Sequence, residues 1–327
     1  MTTEPAPIVI VPGNPMPPGG AARWLVAPDG CRLRMVVWTA EAAGLSSCRG
    51  TVFLFGGRGE FAEKYFETAG DLLARGFAVA TLDWRGQGLS GRLLANRRNG
   101  HIDDFSSFGR DLEFFMRETG AEMPEPHFAL AHSMGGHILL RAVHDHPDWF
   151  RGLVLSAPML GLRLGRPMAR KAIRLFAAAL RAAGYAGRYV PGGSARAADE
   201  IPFADNIVTH DEGRYAMQQA LIRTEPDLGL GSTTVGWLDA AFRSLALISD
   251  PAYLGAVRTP VLIAMAAEDA LIDPEALRRA AALLADAELV RIEGARHEIL
   301  MEKDRCRGDF WAAFDAFIAR VEGARSG

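Results

Sequence analysis

Strand-like and helix-like stretches alternate along most of this chain. RLRMVVW (32–38) and TVFLF (51–55) are short runs of β-branched, aromatic and aliphatic residues, the pattern of strands. EFAEKYFETAGDLLARG (60–76) has apolar positions at Phe61, Tyr65, Phe66, Ala69, Leu72 and Leu73, a helical spacing closed by Gly76. FAVATLD (77–83) reads as a strand and DFSSFGRDLEFFMRETG (104–120) as an amphipathic helix. HFALA (127–131) predicts a strand, MGGHILLRAVHD after it a helix stopped before Pro147, and GLVLSAP (152–158) another strand. The rhythm resumes with strand PVLIAMA (260–266), helix PEALRRAAALLADA (274–287), strand ELVRIE (288–293) and a last helix over 304–323. Strands alternating with helices predict an α/β fold: a mostly parallel central sheet, flanked by helices on both faces.

Two stretches fall outside that rhythm. Residues 1–21, with prolines interrupting the one apolar patch IVIV, read as a flexible Pro-rich leader. Glu4 and those prolines argue against a signal peptide or a membrane span. Residues 160–247 are rich in Ala, Arg and Leu, with few strand-like runs. They predict a helical cap inserted between the two parts of the core, 22–159 and 248–327, and lying over the carboxyl edge of the sheet. A chain of 327 residues has ample length for one such domain plus its insertion. A net charge of -3 argues against general affinity for nucleic acid. Cys31, Cys48 and Cys306 are odd in number and far apart, which fits neither a disulfide framework nor a metal cluster and suits a reducing, cytoplasmic compartment.

The chemistry concentrates where predicted strands end. AHSMGG (131–136) lies between a strand and a helix and is near G-x-S-x-G, the sharp turn that exposes a serine hydroxyl above a sheet. Ala131 stands where the first small residue is usually glycine, and its methyl adds only modest crowding, so the turn is expected to survive. A serine needs a base, and the base an orienting acid. Strand 260–266 runs into AEDALID, with Glu268, Asp269 and Asp273; strand 288–293 runs into GARHEIL, with His297. The order Ser, acid, His and the common sheet edge point to Ser133, Asp269 and His297, while Asp273 before Pro274 reads as a helix cap. Charge developing on a substrate oxygen needs N–H donors. The Met134 backbone is one candidate, and the loop GGRGE (56–60) can supply another. Phosphate binding by those glycines is the weaker reading, because the lysine and serine of a P-loop are missing. His132 is expected to pack or hydrogen-bond rather than react, and His101 with Asp103, and Asp83 with Arg85, to brace loops. No residue set calls for a metal or a cofactor.

GGRGEFAEKY (56–65), LDWRGQGLS (82–90), GHIDDF (100–105), AHSMGG (131–136), LGSTTVGWL (230–238), AEDALID (267–273) and GARHEI (294–299) together resemble the α/β-hydrolase superfamily. Within it, they resemble the monoacylglycerol lipase and lysophospholipase L2-like serine hydrolases. The resemblance implies an α/β-hydrolase fold with a cap, Ser133 as nucleophile, Asp269 as acid, His297 as base, and the Arg58 backbone N–H as the second oxyanion donor. It also implies a single-chain glycerolipid ester as substrate. Phe55, Gly56 and Gly57 depart from the His-Gly pair that opens this loop in many relatives.

Between Arg163 and Arg196 the chain carries Arg163, Arg166, Arg170, Lys171, Arg174, Arg181, Arg188 and Arg196 and no acidic residue. On a helix from Pro167, Arg170, Arg174 and Arg181 share one face, while Met168, Leu175, Phe176 and Leu180 fall largely on another. Two readings are open: a basic face on an anionic membrane or steering an anionic substrate, or a cap helix with its apolar side on the core and its basic side in water. The expected activity is ester hydrolysis through an acyl-enzyme. A broad carboxylesterase, an acyltransferase using the same residues, and a non-catalytic hydrolase-fold binding protein are the alternatives.

Overall fold

The computed structural model describes residues 4–165 and 167–324. Eight strands, β1 (Gly20–Val26), β2 (Arg32–Trp38), β3 (Thr51–Phe55), β4 (Ala78–Leu82), β5 (His127–His132), β6 (Leu153–Ser156), β7 (Val261–Ala266) and β8 (Ala287–Ile292), form a single sheet. Their spatial order is β1-β2-β4-β3-β5-β6-β7-β8. β2 is antiparallel to both β1 and β4; from β4 to β8 every pairing is parallel. This is the α/β-hydrolase fold.

Helices cover both faces, so the central strands are apolar on both sides. Side chains alternate between two cores along β3: Phe53 and Phe55 enter one, Val52 and Leu54 the other. The first core lies under α2 (Ser106–Thr119), α3 (Met134–Asp145), α6 (Val235–Ile248), α7 (Pro251–Ala256) and α8 (Pro274–Leu283). The second lies under α1 (Phe66–Ala74) and α9 (Asp304–Gly323), whose Phe314 packs edge-on against Phe77, which in turn meets Phe128. Truncating Phe53, which packs edge-on against Phe115, His127 and Phe150, would cost about 3–5 kcal/mol.

Residues 4–19 are not a free leader. Pro5 bridges Arg23, Ala6 N–H donates to Ala22, and Trp24 N–H donates to Glu4. Val9 and Val11 are buried, and Trp38 Nε1 donates to the Pro17 carbonyl. The prolines that argued for flexibility instead suit an extended strand edge, where a missing N–H leaves no ladder bond unmade. Residues 1–3 of the expected leader lie outside the described residues.

Between β6 and β7 the chain leaves the sheet and forms α4 (Pro167–Leu180), α5 (Glu212–Thr224), α6 and α7. This stretch is fastened to the loops after β7 and β8. Arg163 N–H donates to Leu271 and its Nη1 to the Asp269 carbonyl (2.7 Å); Glu298 N–H donates to Val208, and Thr209 Oγ1 to Met301.

The orientation of α4 differs from the reading that put its apolar side on the core. Its apolar residues face outward: Met168 is 78% exposed, Leu175 61% and Phe176 55%. Arg170 turns back onto the protein at Asp273 (2.9 Å), as does Arg181, just past the helix, at Asp239 (3.6 Å). These two carboxylates draw in two of the guanidinium groups, while Lys171 and Arg174 stay exposed. Arg166 of the basic run lies outside the described residues.

Candidate active site

β3 lies between β4 and β5, so the chain leaves it toward one side of the sheet and later returns on the other. Crevices that bind ligands form at such a reversal, outside the strands' carboxyl ends. Here the loop after β3 (56–60) and the turn after β5 (Ser133) face each other. An added Cβ on Gly57 would come 3.0 Å from Ser133 Cβ, so this close approach requires glycine.

Ser133 has φ 48° and ψ −114°, a region that costs a non-glycine residue about 1–3 kcal/mol. Its main chain is held on both sides: Ser133 N–H donates to Ser156 (3.0 Å), and Met159 N–H donates to the Ser133 carbonyl (2.9 Å). Small residues on the helix side are obligatory. A Cβ on Gly135 would lie 2.7 Å from the Gly56 carbonyl oxygen, and one on Gly136 2.8 Å from Pro158 Cβ. Ala131 sits in β5, paired with Phe55 and Leu155, and its methyl is fully buried in the core. The turn accommodates alanine there.

Three strand ends converge on one hydrogen-bonded line. His297 Nε2 is 3.0 Å from Ser133 Oγ, and His297 Nδ1 is 2.8 Å from Asp269 Oδ2. The other Asp269 oxygen accepts the Leu271 and Ile272 N–H groups at 2.8 and 3.0 Å, which fixes the carboxylate plane. Burial alone would raise the Asp269 carboxyl, but the hydrogen bond and charge of His297 and those two N–H donors outweigh it and hold the group below its ordinary range. A carboxylate on Nδ1 leaves Nε2 to face the hydroxyl as a base, the arrangement that activates a serine for acyl transfer. Of the other acids in this loop, Asp273 caps α8 by accepting the Glu275 N–H (3.1 Å), and Glu268 lies 3.4 Å from His210.

Met134, the first residue of α3, and Arg58 in the facing loop have main-chain N–H groups with no acceptor among the described residues. The N–H groups on either side of Arg58 are occupied: Gly57 donates to Glu60 Oε2, and Gly59 to Gln87 Oε1 (2.6 Å). The loop is therefore fixed while its middle N–H stays unengaged, as an oxyanion donor must be.

Behind this loop lies a buried charge cluster that the sequence reading did not single out. Lys64 Nζ, 1% exposed as a residue, bridges Glu60 Oε1 and Glu298 Oε1, each at 2.7 Å. Glu60 Oε2 also accepts from Tyr65 Oη (2.5 Å). One ammonium thus ties the loop that holds Gly57 to the residue after His297. Burial disfavours the Glu60 carboxylate, but Lys64, His132 and the hydrogen bonds from Lys64 and Tyr65 more than offset this and hold its pKa down at about 2. The visible signal was a Glu-Lys pair four apart, Glu60 and Lys64, in the largely apolar stretch EFAEKYF.

His132 turns away from the hydroxyl, as expected: its Nδ1 is 3.1 Å from the Ser156 carbonyl, so that nitrogen carries the proton. Burial lowers its pKa to about 4, leaving it neutral at pH 7, with its ring 4.7 Å from that of His297. His101 bridges Thr234 (2.9 Å) and Asp103 (3.2 Å), a loop brace. The Asp83–Arg85 pairing does not form. Asp83 is taken by Arg34 (2.7 Å), which also holds Glu63, while Arg85 binds Asp111 and Asp29. Neighbouring side chains on a tight loop diverge, and each found a partner on another element.

A model of the serine aminopeptidase S33 family matches residues 46–304, a span that contains every residue of this site. Lysophospholipase L2 of Escherichia coli K12 is 36% identical over 264 residues, 77% of this chain and 75% of that protein. The chain belongs to the serine aminopeptidase S33 family. Another relative is the monoacylglycerol lipase of Mycolicibacterium smegmatis, 32% identical over 137 residues, 42% of this chain and 46% of that protein. Among solved structures, a soluble variant of the monoglyceride lipase of Saccharomyces cerevisiae in complex with a substrate analogue shares the fold with a TM-score of 0.68, at 21% identity over 92% of this chain and 96% of that one. This S33 family member retains a serine, a histidine and an aspartate in hydrogen-bonded line despite Ala131 and the Phe-Gly-Gly opening of its loop.

Proposed function

We propose that this protein is a serine hydrolase that cleaves monoacyl glycerolipids at the carboxylic ester. The observation that carries the reading is the pair of hydrogen bonds Ser133–His297 and His297–Asp269 at 3.0 and 2.8 Å. In this mechanism His297 Nε2 takes the Ser133 proton as Oγ attacks the ester carbonyl. The N–H groups of Met134 and Arg58 receive the developing oxyanion. His297 passes the proton to the leaving glycerol oxygen, the acyl-enzyme remains, and a water activated by the same imidazole releases the fatty acid. Asp269 holds the imidazole tautomer throughout. The relatives named lysophospholipase and monoacylglycerol lipase support a single-chain lipid ester as substrate.

Residues 160–247 act in this reading as a cap over the site, with α4 meeting the lipid surface. Met168, Leu175 and Phe176 form an exposed apolar ridge, and Lys171 and Arg174 beside them are exposed and suited to anionic headgroups. Among the described residues no helix is long and apolar enough to cross a membrane, so such contact is peripheral for these helices.

Fatty-acid release from a lysophospholipid and from a monoacylglycerol of the same chain length, with Ser133→Ala as the control, tests the function. Release that persists in the mutant would refute Ser133 as nucleophile. A broad carboxylesterase would instead favour short, soluble esters over both lipids.

A further inference from the structure

The guanidinium of Arg58 has no carboxylate partner among the described residues, whereas the buried arginines and lysine each have one. Arg34 lies on Glu63 and Asp83, Lys64 on Glu60 and Glu298, Arg85 on Asp111 and Asp29, and Arg307 on Asp71. Arg92, which also lacks a carboxylate, donates to four main-chain carbonyls through all three of its nitrogens. Arg58 spends one nitrogen only: Nη2 donates to the Gly231 and Ser232 carbonyls at 2.9 Å each. Its Nε is enclosed without an acceptor, and the group lies 5.6 Å from the Trp237 ring centre. The Tyr189 hydroxyl is likewise enclosed without a hydrogen-bond partner. Burial lowers the Arg58 pKa to about 10, which leaves it cationic at pH 7. An enclosed cation with unused donors is costly until an anion arrives.

This cation belongs to the residue whose main-chain N–H serves as an oxyanion donor in the proposed mechanism. In an sn-1 lysophospholipid the phosphorus stands five covalent bonds from the ester oxygen, and in arginine Cζ stands five bonds from Cα. A substrate whose carbonyl oxygen reaches the Arg58 N–H therefore carries its phosphate on the length scale of the Arg58 side chain. Nη1, whose hydrogens have no acceptor among the described residues, can donate to phosphate oxygens, whereas the glycerol of a monoacylglycerol brings no charge to it.

We propose that the Arg58 guanidinium, between the oxyanion loop and the cap segment 231–237, is a subsite for a substrate-borne phosphate and selects lysophospholipids over monoacylglycerols. The proposal rests on the ester-hydrolase reading. Charge-assisted hydrogen bonds to phosphate correspond to roughly a ten- to hundredfold preference.

The test is the ratio of kcat/KM for lysophosphatidylglycerol to that for a monoacylglycerol of the same chain, in the same detergent micelles. Using the ratio cancels any shared disturbance of the oxyanion loop. Arg58→Gln is expected to lower this ratio ten- to hundredfold, and Arg58→Lys to restore part of it. Equal losses on both lipids would overturn the proposal and make Arg58 a cap fastener only. Should Arg58→Gln fail to fold, the native protein still decides. Glycerol 3-phosphate should compete with lysophosphatidylglycerol far more strongly than glycerol does, and equal potency of the two would overturn the subsite. Inorganic phosphate as strong as glycerol 3-phosphate would mark a free-anion site and overturn the headgroup assignment. No hydrolysis of either lipid by the native protein would refute the hydrolase reading itself, and the subsite with it.

Discussion

Replacing Lys64 by methionine tests whether one buried ammonium ties the oxyanion loop to the histidine loop. Lys64 Nζ lies 2.7 Å from a carboxylate on each side, and its side chain is fully enclosed. Methionine keeps most of the volume and removes the charge, leaving Glu60 and Glu298 without their cation. Breaking a buried pair from one side costs about 3–5 kcal/mol, and we expect a loss of that size at pH 7. The sign with pH follows from Glu60, whose carboxyl is held below its ordinary 4.5, at about 2. Stability from a depressed carboxylate is fully present above the unfolded value and is lost as pH falls from about 4.5 toward 2. The gap between native and variant should therefore narrow in acid, once the carboxylate that needed Lys64 takes up a proton. Denaturant midpoints across this range measure it. Because Gly57 N–H donates to Glu60, the loop carrying the Arg58 N–H loosens too. Losing an oxyanion donor outright costs about a hundred- to a thousandfold in kcat, so loosening one should cost roughly tenfold, with KM little changed. A variant within about 0.5 kcal/mol of native at pH 7, with full kcat, would refute this reasoning.

Other expectations follow from the same geometry. Ser133→Gly should abolish turnover yet raise denaturant stability by about 1 kcal/mol, because glycine relieves the φ of 48°; a destabilised variant would show that the turn is not strained. His132 and His137 are buried with pKa values lowered to about 4 and about 3, so the unfolded chain binds protons first as pH drops below 6.5 and stability falls with acid until the folded form also protonates. Converting His132 to Gln should lessen that slope by up to about 1.4 kcal/mol per pH unit, measured by urea unfolding from pH 6.5 to 4.5. Leu175→Asp with Phe176→Asp should weaken binding to anionic vesicles without lowering the thermal midpoint, since both side chains are exposed. Undiminished vesicle binding by the double variant would remove α4 from the membrane contact.

The fold was legible because its strands are continuous apolar runs between helical patterns, and the parallel sheet follows from that alternation. Ser133, Asp269 and His297 were legible because each follows a predicted strand and the turn around Ser133 has its own spacing. The role of Lys64 was hidden: Glu298 comes from the opposite end of the chain, and only the sheet order brings them together. The packing of residues 4–19 was obscured by prolines, which weaken a strand pattern without forbidding an edge. For α4, the sequence separated an apolar from a basic face but could not show which basic residues turn inward while the apolar ones stay exposed. That is decided by Asp273 and Asp239, on other helices, which hold Arg170 and Arg181.

The account stands on Ser133 being the nucleophile of an acyl-enzyme. Incubation with a fluorophosphonate, digestion and mass spectrometry of the modified peptide test that directly. One adduct is expected, on Ser133, lost in His297→Ala and suppressed by a hydrolysable monoacyl lipid. An adduct on another residue, or none in a folded protein, would contradict it.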